Sequence, residues 1–157
     1  MTTGSVPTLY EWAGGMSALE RLTDHFYARV RQDEMLQPIF AHMDREHPRF
    51  VAQFLAEVLG GPAAYSEARG GHPHMISRHL NRHLTEPQRR HWMTLLLESA
   101  DAVGLPSDPE FRSALVGYIE WGSRLAVINS QSSDAGGGTT PMPHWGWGET
   151  GGPYQPT

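Results

Sequence analysis

The sequence predicts an all-α fold. No stretch alternates apolar and polar residues with period two over a useful length, whereas several carry apolar residues at helical spacing. Glycine pairs and proline-containing breaks separate these stripes. Two of them follow a Ser/Thr-x-x-Glu/Gln pattern, in which the first side chain and the fourth cap each other's backbone N–H groups.

Taken in order, residues 1–15 are expected to be weakly structured, with a short helix over residues 9–12 ended by Gly14 and Gly15. Ser17 and Glu20 read as a capping box opening a helix whose buried stripe is Leu19, Leu22, Phe26 and Val30, with Tyr27 at its edge. Asp33 is expected to start a short helix running to Phe40. Residues 48–59 place Phe50, Val51, Phe54, Leu55, Val58 and Leu59 on one face, and Gly60-Gly61-Pro62 stops the segment. After Gly70 and Gly71 a short helix opens at Pro73, a residue suited to a first turn. Thr85-Glu86-Pro87-Gln88 is the second capping box, heading a stripe of Trp92, Leu95, Leu96, Ser99, Ala100 and Val103 that Gly104 and Pro106 close. Ser107-Asp108-Pro109-Glu110 begins the last long helix, with Phe111, Leu115, Tyr118, Ile119, Gly122, Leu125 and Ala126 turned inward.

The predicted division is a domain over residues 1–131 and a Gly/Pro-rich tail over residues 132–157, flexible or partly docked. The tail contains no Ile, Leu or Val and buries too little apolar surface to order itself. Trp145 and Trp147 are its two candidates for docking.

Bulk composition narrows the function classes. A chain of 157 residues is long enough for one core. Its net charge of −5 offers no footprint for nucleic acid or an anionic membrane. Without cysteine there is no disulfide, thiolate metal site or cysteine nucleophile. No apolar run approaches a membrane span and no signal-peptide pattern opens the chain, so a cytoplasmic location is expected. Exposed apolar positions on the last two helices suit a homodimer.

Nine histidines, more than a chain of this size usually carries, raise the prospect of a metal or haem. Three residues then stand out: Tyr27, His79 and Trp92, each placed by its spacing on or beside an apolar helix face. A hydroxyl, an imidazole and an indole N–H are the groups an iron-bound gas pocket needs. The residues alone leave simpler roles open, namely a core tyrosine, a half-buried histidine and a core tryptophan. They also leave open a zinc cluster of His72, His74, His79 and His83, in which His79 and His83 stand at i, i+4.

Four stretches resemble the group II truncated haemoglobins: Phe26-Tyr27-Ala28 before Asp33-Glu34; Phe54-Leu55 before Gly60-Gly61-Pro62; Tyr65-Ser66-Glu67 before Gly70-Gly71-His72-Pro73; and Glu120-Trp121-Gly122-Ser123-Arg124-Leu125-Ala126. With His79 and Trp92 between them, the resemblance covers about residues 8–130. It implies a globin-like, truncated two-over-two helical sandwich around haem b (iron protoporphyrin IX). His79 would be the proximal iron ligand, with Met75 as apolar cover one turn away. Tyr27 and Trp92 would donate hydrogen bonds to dioxygen or another diatomic ligand.

His47 matches the distal position, from which it could contact the ligand, swing as a gate, or reach a haem propionate. Phe40 would lie flat on the haem, where many relatives carry a tyrosine. Phe50 and Val51 would line the cofactor, with Val51 facing the ligand. Tyr65 and Arg78 would reach the propionates. The implied function is haem-based dioxygen, peroxide or nitric oxide redox chemistry, fed by an unidentified electron donor. The alternative is oxygen storage, transport or sensing without turnover.

Overall fold

The computed structural model describes residues 5–133 and 141–155. Seven α-helices carry the fold: α1 (Leu9–Ala13), α2 (Gly15–Val30), α3 (His47–Val58), α4 (Ala64–Arg69), α5 (Gly71–Ser77), α6 (Glu86–Ala102) and α7 (Pro109–Ser130). Among the described residues there is no strand. Helix α2 packs on α3 and α6, and α6 packs on α7, which gives two helix pairs stacked on one another.

The N-terminal segment is more ordered than its composition suggests. Thr8 and Glu11 form a reciprocal capping box on α1, and Leu9 is core. Gly14 has φ +111°, where a side chain is strained, and it serves both as the C-cap of α1 and as the N-cap of α2. Helix α2 therefore starts before Ser17, so the expected Ser17–Glu20 box does not form. Ser17 Oγ instead accepts from Arg21 Nη1 at 2.9 Å.

The segment after α2 is a set of turns rather than the expected helix. Asp33 does start it, accepting from the N–H groups of Met35 and Leu36 at 3.0 Å each. Pro38 has no N–H, and the chain continues through three-residue turns, with Ile39 N–H donating to Leu36 O at 3.0 Å. His91 on α6 donates to Asp33 Oδ2 at 2.5 Å and pins this segment beside Trp92.

Between α3 and α5 lies the short helix α4, which the sequence reading did not foresee. Gly61 permits the approach of α1 here, since a Cβ would stand 2.7 Å from the Tyr10 ring. Helix α5 opens at Gly71, two residues before Pro73. The Thr85–Gln88 box forms as expected, in both directions. Arg89, 5% exposed, joins α6 to α7 by donating to Glu86, Glu120 and Ser123.

Residues 141–155 lie against the helices. Trp145 N–H donates to Val58 O at 2.8 Å, and Trp147 Nε1 donates to Pro7 O at 2.7 Å. The Trp147 ring meets Trp12 edge-on at 6.2 Å. Ending the chain at Gln131 is therefore expected to lower the melting temperature by several degrees, since each 1 kcal/mol shifts a domain of this size by about 2–4 °C. An unchanged thermal scan would contradict a stabilising role for these contacts.

Candidate functional site

The site is built where α2, α3 and α6 meet and where the chain leaves α5. Tyr27, on the inner edge of α2, is 2% exposed. Its neighbour Phe26 sets its surroundings, meeting the Tyr27 ring at 4.8 Å and the Trp92 ring at 5.5 Å, both edge-on. Phe40, arriving from the turns after α2, meets Tyr27 at 5.7 Å.

His47 is the first residue of α3. Its N–H donates to Asp44 O at 3.0 Å, and Pro48 occupies the next helical position. This entry brings His47 Nε2 to 3.1 Å from the Tyr27 hydroxyl, with the two rings nearly perpendicular at 4.9 Å. Of the three roles the sequence allowed for His47, the geometry in hand is a fourth, a direct partnership with Tyr27.

Burial governs the protonation of this pair. It raises the Tyr27 pKa, so the hydroxyl keeps its proton. Burial, aided by the charges of Arg78, His79 and Arg82, lowers the His47 pKa to about 4. The same three residues tie His47 to the other wall of the site, since all lie just beyond α5.

His79 follows the end of α5 rather than lying on it, because α5 stops at Ser77. Its N–H donates to Ile76 O at 3.0 Å, and its Nδ1–H donates to Met75 O at 2.9 Å. With Nδ1 committed as a donor, the lone pair resides on Nε2, the tautomer that ligates a metal. Burial is the main cause of its lowered pKa, which keeps the ring neutral. The following loop is held to the end of α7: Asn81 and His83 donate to the carbonyls of Ser132 and Ser130 at 3.0 Å each. Both residues have positive φ, 61° and 50°.

Phe50, Val51 and Met75 are partly buried at the margin of the core. Tyr65 is buried, which raises its pKa, and the charges of Arg69 and Arg78 oppose that rise. Sequence reasoning missed Arg69, whose guanidinium carbon lies 3.7 Å from the centroid of the Phe50 ring. Its Nε is buried with no partner among the described residues. Its spacing, one helical turn after Tyr65, was the available signal. His72, His74, His79 and His83 do not converge: among the described residues no group of three or more His, Asp or Glu is arranged to hold a metal. That removes the zinc alternative.

The model of the bacterial-like globins matches residues 8–119. The chain belongs to that family. It is 36% identical over 120 residues to the group 2 truncated haemoglobin YjbI of Bacillus subtilis, covering 76% of this chain and 89% of the relative. Its fold matches the X-ray structure of the truncated oxygen-avid haemoglobin from Bacillus subtilis with a TM-score of 0.69 at 36% identity, over 77% of this chain and 99% of the other. The group II truncated haemoglobin of Bacillus anthracis matches with a TM-score of 0.68 at 29% identity, over 85% and 98% of the two chains.

The protein is thus a group II truncated haemoglobin with the two-over-two fold. Globins are haem b proteins that bind diatomic gases. The residues present fit that cofactor on three counts. One imidazole offers a fixed lone pair, apolar side chains stand at the core margin, and a buried guanidinium nitrogen without a partner suits an anionic propionate. No helix among the described residues is long and apolar enough to cross a membrane.

The buried neutral state of His47 has a consequence for stability. Its folded pKa of about 4 lies below its ordinary 6.5, so between those values the unfolded chain binds a proton that the folded chain refuses. Stability of the haem-free protein therefore falls as pH drops from about 6.5 towards 4. The lowered pKa values of His72, His74 and His79 act in the same direction. His47→Gln should flatten part of that slope in urea midpoints measured across the range. An identical slope in the variant would contradict a buried, neutral His47.

Proposed function

We propose that this truncated haemoglobin retains dioxygen and spends it, or peroxide or nitric oxide, in redox chemistry rather than carrying it. In this reading His79 Nε2 ligates the haem iron, and Arg69, Arg78 and Tyr65 hold the propionates. Phe40, Phe50, Val51 and Met75 give the ring apolar cover. When bound, haem b supplies the redox-active iron at which a diatomic ligand sits.

The observation that supports retention is the set of distal donors. Trp92 Nε1 has no acceptor among the described residues and is a donor only. Tyr27 and His47 form a relay whose direction depends on the His47 tautomer. With the proton on Nε2, His47 donates to the Tyr27 oxygen, and Tyr27 is free to donate its own proton to the ligand. With the proton on Nδ1, Nε2 accepts from Tyr27 and the hydroxyl is turned away. Arrival of a polarised ligand selects the first arrangement, since hydrogen bonds to a charged acceptor are worth about 1.5–3 kcal/mol.

A histidine with a pKa of about 4 is a weak base at neutral pH, so His47 acts first as a donor to Tyr27. His47→Leu is expected to speed dioxygen release and to slow reaction with hydrogen peroxide. Unchanged rates in both would remove His47 from the mechanism. The direct test of retention is dioxygen dissociation into excess carbon monoxide by stopped flow. Slow release is expected, in keeping with the likeness to a haemoglobin from Bacillus subtilis described as oxygen-avid, and release as fast as that of a carrier would contradict the proposal. The exposed Val116 and Ile128 of α7 suit a homodimer face, which sedimentation velocity reads.

A further inference from the structure

A second aromatic set lies apart from the distal pair. Trp121 on α7 stands 5.8 Å from Trp145 of the tail and 6.2 Å from Tyr118, centroid to centroid. His72, at the start of α5, stacks near Trp121 at 6.5 Å with 27° between the planes. His72 also stacks near Phe54 of α3, at 6.5 Å and 28°. Phe54 in turn meets Tyr65 edge-on at 5.0 Å. The run Trp121–His72–Phe54 therefore leads from a surface indole, 41% exposed, to a core ring, 5% exposed. Its middle member stands on α5, the helix that ends two residues before His79.

The outer end of this run opens on a pocket. His72, Trp121, Leu125, Met142, Pro143 and Trp145 line a space of about 510 Å³, within the usual range for small-molecule sites. Among the described residues, no acidic residue, arginine or lysine lines it. His72 is 6% exposed, and its Nδ1 is buried without a partner among the described residues. Two indoles and a thioether suit a flat, neutral aromatic guest, and an imidazole suits a hydroxyl on that guest. Indole is also among the most easily oxidised side chains.

We propose that Trp121 is an electron-transfer residue, taking electrons from a hydroquinone-class reductant seated in the tail pocket and passing them through His72 and Phe54 toward the haem. The proposal rests on the haem reading above and supplies the electron donor that reading requires. With haem bound, the reduction of one hydrogen peroxide to two waters would withdraw two electrons from this run, one at a time. Each withdrawal leaves Trp121 as an indolyl radical, its N–H proton passing through solvent to the water being formed. Hydroquinone then returns a hydrogen atom to Trp121 and leaves as a semiquinone. In sum, two hydroquinones and one hydrogen peroxide give two semiquinones and two waters.

The test uses ferric holoprotein. Treated with an equivalent of hydrogen peroxide and no reductant, then digested, it is expected to show oxygen addition at Trp121 by mass spectrometry. Trp12 is a built-in control, being 38% exposed but outside the stack, and it is expected to stay unmodified. Hydroquinone added beforehand is expected to suppress the mark. Trp121→Phe keeps a ring in place and is expected to slow hydroquinone-dependent peroxide consumption about tenfold or more. Equal modification of Trp12 and Trp121, an unmodified Trp121, or turnover in Trp121→Phe within about twofold of the parent would each overturn the proposal. A protein without a haem absorption band would instead defeat the haem reading itself, so the two failures are distinguishable.

Discussion

Replacing both distal donors, Tyr27→Phe together with Trp92→Phe, accelerates dioxygen dissociation about 10²–10⁴-fold. The range follows from two hydrogen bonds to a charged acceptor at about 1.5–3 kcal/mol each and about 1.4 kcal/mol per tenfold in rate. It assumes that both bonds are lost before the ligand escapes. Each substitution keeps an aromatic ring, so the edge-on packing of Phe26 between Tyr27 and Trp92 survives. The effect is therefore on ligand retention rather than on folding. The single variants are expected to differ, because Tyr27 draws on His47 at 3.1 Å whereas Trp92 acts alone. A double variant releasing dioxygen within about twofold of the parent rate would defeat the retention account.

His79→Ala abolishes stable haem binding, and added imidazole restores part of it. The proximal role depends on one tautomer, fixed by the 2.9 Å bond from Nδ1–H to Met75 O. His83, one turn later in the sequence, cannot take that place without rebuilding the loop. His83 has a positive φ of 50°, its N–H is bound to Ser130 O at 3.0 Å, and its side chain is exposed. The check is haem content after gel filtration with and without imidazole. Parent-level haem in His79→Ala would move the ligand elsewhere.

The long helices were legible because local signals and the apolar period agreed on them. Thr85 and Gln88 cap α6 in both directions, and Asp108 caps α7 with Pro109 in its first turn. The errors arose where a local pattern competed with a tertiary one. Ser17-x-x-Glu20 has the form of a capping box, but Gly14 joins α1 directly to α2 and leaves no free N-terminus at Ser17. Asp33 caps a turn, and Pro38 prevents that turn from growing into a helix. The short helix expected over residues 9–12 does form, and what the reading of the segment before Gly15 overlooked is the Thr8–Glu11 box that caps it.

The sequence named the candidate residues of the site, but their partnerships were not legible in it. Tyr27 and His47 are twenty positions apart and meet only through the crossing of α2 on α3. Arg69 gives its meaning through a ring on another helix, Phe50. The Trp121–His72–Phe54 run draws on α7, α5 and α3 and is closed by the tail. No periodicity in the chain reports such a set, because each member has a sufficient local reason to be where it is.

The central claim is that His79 holds a haem whose sixth position is open to ligand. The measurement that tests it most directly is the visible absorption spectrum of the purified protein, ferric and then dithionite-reduced, with and without carbon monoxide. The account predicts an intense Soret band that shifts on reduction and shifts again when carbon monoxide binds. A protein that is colourless as isolated and remains so after hemin is added would contradict it.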